Sequence, residues 1–145
     1  PYLIEYNVRM GDPECQTILP ILNSDFLELI LSFFNKNLHK HNIKWHRKKS
    51  LCVVLCSNGY PEKYKKNVEL NDLDKLVISE ENYIFHAGTN KYKNKIYAVG
   101  GRVLNFVSIS DNLSIARKNI HLNLEKLNWK KGFYRKDIAF KVIKQ

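Results

Sequence analysis

The sequence has no long apolar run. Its longest, Leu29–Phe34 and Leu51–Cys56, fall far short of the ~20 residues that a membrane-spanning helix needs, so no membrane partner is expected. The N-terminus lacks a basic segment followed by an apolar one, which argues against a secretory leader. There is no Gly-x-x-x-x-Gly-Lys-[Ser/Thr] loop and no Gly-x-Gly-x-x-Gly, so these two glycine-rich routes to a phosphate are closed. Cysteine is scarce, and Cys15, Cys52 and Cys56 are an odd number at spacings unlike a disulfide framework. All three lie in apolar segments and are expected to be reduced and mostly buried, as in a cytoplasmic protein. Arginine is scarce too, with 5 Arg among 24 basic residues. Specific readers of nucleic acid lean on Arg and on ordered aromatic platforms. The net charge of +10 is therefore read as surface composition, and no nucleic-acid partner is expected. His39, His41 and His46 have no cysteine nearby and lie among lysines, so they read as a solvated linker rather than a zinc site. There is no initiator Met, and Pro1 begins inside what reads as a strand, so an upstream segment is expected.

What the chain does contain is ordinary globular material. It is 44% hydrophobic, enough for one or two small cores. Residues 2–10 alternate strictly, with Tyr2, Ile4, Tyr6, Val8 and Met10 on one side and Leu3, Glu5, Asn7 and Arg9 on the other, which predicts a strand. Gly11-Asp12-Pro13 breaks it, and Pro13 can open a helical turn with Asp12 as its cap. Phe26, Leu27, Ile30, Leu31 and Phe34 recur at helical spacing behind Ser24, read as the N-cap, and the helix is expected to end near Asn37. Residues 38–49 are polar and basic and read as a linker. Leu51–Ser57 reads as a buried strand, followed by a turn at Asn58-Gly59-Tyr60-Pro61. Tyr83–Ala87 and Lys95–Val99 read as strands around a loop containing Gly88. Gly100-Gly101 is expected to be a bulge or tight bend before a strand over Arg102–Ile109. Asp111 is expected to cap a helix to about Leu127, with Leu113, Ala116, Ile120 and Leu124 inward. A last turn or short helix follows Asp137.

The first strand carries the most chemistry. Side chains alternate across a strand, so Glu5, Asn7 and Arg9 point the same way, about 6.6–7 Å apart along it. A carboxylate beside an amide oxygen suits a hard cation such as Mg²⁺, which keeps oxygen ligands and shares them with phosphates. A neighbouring Arg suits a phosphate or carboxylate that meets such a metal. The plainer reading is a solvated strand face. Three polar groups running into a Gly-Asp-Pro turn favour function. His86-Ala87-Gly88-Thr89 reads equally well as a pocket wall or as a strand end plus turn.

Over Glu5-Tyr6-Asn7-Val8-Arg9-Met10-Gly11-Asp12-Pro13-Glu14-Cys15-Gln16 the chain resembles the signature of the glycinamide ribonucleotide synthetases, Glu-x-Asn-x-Arg-x-Gly-Asp-Pro-Glu-x-Gln. The likeness continues through Ser24–Leu29, Val53–Leu55, Gly59-Tyr60-Pro61 with Tyr64, His86–Thr89, Gly100–Leu104 and Arg135–Ile138, and so covers nearly the whole chain. The family usually has Gly near positions 67 and 139, where this chain has Asn67 and Ala139. Asn tolerates a positive φ, whereas Ala139 implies an altered backbone or a relaxed constraint.

The resemblance implies an α+β fold: the terminal strand and helix of an ATP-grasp domain over residues 1–40, then a small mixed α/β C-terminal domain over residues 41–145. It implies an ATP-dependent ligase of purine biosynthesis with ATP as co-substrate. Glycine attacks the γ-phosphate to give glycyl phosphate, and the amine of 5-phosphoribosylamine displaces phosphate. By this likeness Glu5 and Asn7 hold Mg²⁺ (or Mn²⁺), Arg9 holds the glycine carboxylate or the acyl phosphate, and Asp12 orders the loop beside it. The N-terminal part of such an enzyme supplies the nucleotide pocket, so this portion alone is expected to be inactive. The alternatives are a basic, non-enzymatic binding module and an ATP-grasp ligase for a different acid.

Overall fold

The structure, a computed structural model, describes residues 2, 3 and 8–143. Of the strand expected over residues 2–10, residues 4–7 lie outside the described residues, and Val8 and Arg9 form a bend. Two helices follow, α1 (Glu14–Ile18) and α2 (Phe26–Phe34). Their caps differ from expectation. Pro13, not Asp12, is the N-cap of α1. The Asp25 side chain, not that of Ser24, accepts from Glu28 N at 3.0 Å and caps α2. Ser24 Oγ accepts instead from Lys44 N at 2.8 Å. That bond belongs to a return path: Asn23 N donates to Lys44 O and His46 N to Ile21 O, each at 2.9 Å. The stretch expected to be a linker is thus laid back along residues 21–24.

The rest of the chain contributes β1 (Lys49–Ser57), β2 (Val68–Leu70), β3 (Asn82–His86), β4 (Thr89–Tyr92), β5 (Lys95–Ala98), β6 (Arg102–Ser110), α3 (Leu113–Leu127), β7 (Gly132–Phe133) and α4 (Phe140–Ile143). One antiparallel sheet has the order β3-β6-β1-β7 and a second has the order β2-β5-β4. β4 was not expected from the sequence. It pairs with β5 through Lys93 and Asn94, both at positive φ, the backbone that a two-residue hairpin turn needs. Polar Thr-Asn-Lys-Tyr carries no alternating apolar signal, which is why it reads as loop.

The core forms where β1 and β6 are apolar on the same face. Val53 lies opposite Phe106 and Leu55 opposite Leu104, and this face packs under Ala116, Ile120 and Leu124 of α3. Alternation turns Cys52 and Val54 to the other face, which α1 covers. Asn112, one residue after the expected Asp111, caps α3 by accepting from Ser114 N at 2.6 Å. No helix among the described residues is long and apolar enough to cross a membrane.

Candidate functional site

β1 ends and β6 begins at the same end of the sheet, and several of the resemblance segments meet there. The ladder shifts register between Leu55 and Cys56, where Cys56 comes to face Arg102. The extra residue is Val103, inside β6; Gly100-Gly101, expected to be a bulge or a tight bend, is the bend before the strand. Ser57 locks the corner, donating N–H to Gly101 O at 2.8 Å and Oγ–H to Gly100 O at 2.9 Å. The Tyr60 ring lies close against Gly101, where a Cβ would stand 2.0 Å from Tyr60 Cδ2. At Gly59 the turn takes φ +95°, and a Cβ would meet Lys63 O at 2.1 Å. Only glycine fits at either place.

His86-Ala87-Gly88-Thr89 is a strand end plus turn, the crossing by which β3 passes into β4. Gly88 N donates to Arg102 O at 2.8 Å, and Val99 N and Gly100 N donate to Gly88 O at 2.8 and 3.1 Å. The two backbones touch through Gly88 and Gly100, so both glycines are required by close approach. His86 Nδ1 shares a hydrogen bond with Thr89 Oγ1 at 2.8 Å on the surface.

The turn at residues 11–13 is clamped to this corner by Arg102. Its Nη1 donates to Asp12 O at 2.9 Å and lies 3.3 Å from Asp12 Oδ2, in a half-exposed ion pair. Asp12 Oδ1 accepts from Gln16 Nε2 at 2.8 Å, and Gly11 N donates to Glu14 Oε2 at 2.7 Å. Asp12 is thus bonded both within its own turn and to Arg102. Arg9 is exposed, and its Nη1 donates to Met10 O at 3.0 Å. Glu5 and Asn7, the expected metal ligands, lie outside the described residues. Among the described residues no cluster of three or more His, Cys, Asp or Glu is arranged to hold a metal. Arg102 and Gln16 were not singled out as site residues. The Gly-Gly-Arg and Glu-x-Gln segments contained them, but nothing in either segment announces a contact across 90 residues.

An apolar pocket of about 420 Å³ opens beside Pro13, lined among others by Cys52, Val54, Tyr60, Pro61 and Phe133. Burial, aided by the Asp12 carboxylate, pushes the Cys52 thiol up to about 12. Burial also raises the Cys56 thiol, against the pull of Arg102. Neither is therefore a thiolate near neutral pH. Across the pocket, Arg135 forks onto Asp137 (Nε–Oδ1 3.0 Å, Nη2–Oδ2 2.6 Å). Arg117 of α3 pins the backbone there, donating to Lys136 O at 2.6 Å and Ile138 O at 3.2 Å. The arrangement is a rigid corner that anchors a polar turn at the rim of an apolar hollow.

Residues 50–141 match the family described as "Phosphoribosylglycinamide synthetase, C domain". The chain is 46% identical over 139 residues to a phosphoribosylamine–glycine ligase of Fusobacterium nucleatum, covering 95% of this chain and 33% of that protein. It is 40% identical over 146 residues to a bifunctional purine biosynthetic protein of Pichia angusta, covering 100% of this chain and 18% of that one. In three dimensions it is similar to a phosphoribosylamine–glycine ligase from Thermotoga maritima, with a TM-score of 0.78 and 31% identity over 96% of this chain and 34% of that one. The chain thus spans about a third of the length of the ligases it matches. The family match covers α3 and both sheets, and the relatives extend it back across the 11–13 turn, so the chain belongs to the phosphoribosylglycinamide synthetase C-domain family.

Proposed function

We propose that this chain is the C-terminal portion of a phosphoribosylamine–glycine ligase, which joins glycine to 5-phosphoribosylamine with ATP. The observation that carries the reading is the clamp of Arg102 on Asp12. It ties the signature turn to the C-terminal sheet, so Asp12 is held against the corner where β6 begins.

In this reading Glu5 and Asn7 hold Mg²⁺ (or Mn²⁺). A carboxylate and an amide oxygen are the donors such a hard cation takes. When bound, the ion neutralises charge on the transferring phosphoryl group. Arg9, exposed and ending in a planar fork, holds the glycine carboxylate or the acyl phosphate. Asp12, fixed by Arg102 and Gln16, orders the turn between them and faces the attacking amine. Positioning of this kind, rather than covalent chemistry by the protein, is what phosphoryl transfer requires.

Residues 1–40 are then the end of an ATP-grasp domain, in the cytoplasm, and the remainder of that domain supplies the nucleotide pocket. The exposed face of α2 supports this. Leu27, Leu31, Phe33 and Phe34 are 50–73% exposed, far more apolar surface than one short helix leaves in water without a partner. The chain alone should show no ligase activity. Calorimetry with Mg-ATP tests that: micromolar affinity of the 145-residue chain would overturn it. In an intact ligase carrying this segment, Glu5→Gln should lower kcat roughly 10²–10³-fold and shift its Mg²⁺ dependence. Near-normal kcat at low Mg²⁺ would remove the assignment.

A further inference from the structure

A second hollow, of about 510 Å³, lies beside the residues that flank the Gly59–Pro61 turn. Its walls are the end of β1 (Ser57, Asn58), the loop carrying Lys63, Tyr64 and Lys65, Val68 of β2, and Lys131 ahead of β7. No carboxylate lines it. Among the described residues, none of the three lysines is in an ion pair. The walls are held in place rather than gathered by chance. Asn58 N donates to Lys131 O at 2.9 Å and Asn58 Nδ2 to Lys130 O at 3.2 Å. Tyr64 packs edge-on against Tyr60 at 6.1 Å, and Lys63 O comes so close to Gly59 that a Cβ there would stand 2.1 Å from it.

Three lysines line one concavity with like charges that repel, and low-dielectric walls concentrate their field inside it. An anion relieves that repulsion, and lysine is a general point-charge partner for phosphate. Tyr64 and Val68 add an apolar wall that suits the carbon skeleton of a small phosphorylated molecule. We propose that Lys63, Lys65 and Lys131 form a binding site for a phosphate-bearing anion, either a small organic phosphomonoester or inorganic phosphate. The site stands on these lining residues alone and does not depend on the ligase reading.

Backbone amide NMR of the 145-residue chain, titrated at low salt, reads it locally. Inorganic phosphate and ribose 5-phosphate are the probes. Saturable shifts should centre on Asn58, Lys65 and Lys131. The variant Lys63→Gln/Lys65→Gln/Lys131→Gln should raise Kd at least tenfold, and Lys65→Gln alone two- to threefold. A charge-matched control, Lys36→Gln/Lys118→Gln/Lys126→Gln, should keep the wild-type Kd. Ribose 5-phosphate binding more tightly assigns the organic phosphomonoester, and equal affinities assign inorganic phosphate. Unchanged Kd in the site variants, equal losses in the control, or shifts spread over all lysines would overturn the proposal.

Discussion

Gly88 offers the sharpest test of the crossing that joins the two sheets. A Cβ at this position would stand 2.5 Å from Gly100 Cα, 2.6 Å from Arg102 O and 2.8 Å from Gly100 N. All three are backbone atoms, so no rotamer change makes room. Gly88→Ala must push two chains apart by several tenths of an ångström. That displacement falls on the hydrogen bonds from Gly88 N to Arg102 O and from Val99 N to Gly88 O, both 2.8 Å long. Forcing extra atoms into a packed site costs about 1–3 kcal/mol, and each weakened bond adds up to about 0.5–1.5 kcal/mol. We expect a loss of about 3 kcal/mol, which for a chain of this size lowers Tm by roughly 10 °C. Gly11→Ala is the control, because a Cβ there meets only the mobile Glu14 side chain, with Oε2 at 2.6 Å. That side chain can swing away, so the cost should stay below about 1 kcal/mol, the value of its single bond to Gly11 N. Thermal and urea unfolding followed by circular dichroism compares the two. A Gly88→Ala protein within about 0.5 kcal/mol of wild type, or equal losses at both glycines, would refute the close-approach argument.

Arg102→Ala removes the guanidinium whose Nη1 makes both contacts to Asp12. Amide hydrogen exchange over residues 11–17 should accelerate, while global stability falls by no more than about 1 kcal/mol because the ion pair is half exposed; unchanged exchange would show that the clamp does not hold the turn. Raising a thiol from 9.0 to about 12 leaves roughly 10³-fold less thiolate at pH 8, so Cys52 should react with a disulfide reagent only on unfolding, as mass spectrometry of the labelled peptides will show. Burial pushes the His121 imidazole down, with Arg117 and Lys136 adding to the effect and Glu125 opposing it. The folded state thus favours the neutral ring: its contribution is complete above the unfolded value of about 6.5 and is lost as pH falls through the folded value. Tm should therefore drop on acidification below about pH 6.5, less steeply in His121→Gln. Ala139→Gly should stabilise the chain by up to about 1 kcal/mol, measured by urea unfolding.

Long, strongly patterned elements were legible. Leu51–Ser57 and Arg102–Ile109 are apolar and β-branched, and they became the two central strands. The helix expected from Asp111 to Leu127 appears as Leu113–Leu127 with Ala116, Ile120 and Leu124 buried. Elements whose identity depends on tertiary contact were not. β4 is polar throughout and exists because β5 pairs with it. Residues 38–49 read as a linker because what ties them down, the backbone bonds of Lys44 and His46 to Asn23 and Ile21, leaves no side-chain periodicity. Caps were misplaced by one residue, since Asp, Asn and Ser compete for the same role and only local φ/ψ decides among them. Part of the site was legible as a motif, but the partner that fixes Asp12 is Arg102, 90 residues away.

Positions 67 and 139 show how a resemblance and a backbone inform each other. Glycine is usual at both in the family, and a glycine can mark either close approach or a left-handed backbone. Here Asn67 has φ 57° and Ala139 φ 63°, so both residues adopt the left-handed conformation without being glycine. Asn carries it at little cost, since its short polar side chain visits this region readily. Ala139 does not have that ease, and its left-handed backbone carries strain of order 1–2 kcal/mol. What holds it there is visible. Ile138 and Ala139 pack on the core under α3, Arg117 grips Ile138 O, and Phe140 N donates to Asp137 O at 3.0 Å. The segment is fixed from both sides, so the conformation follows from its contacts rather than from the residue that occupies it.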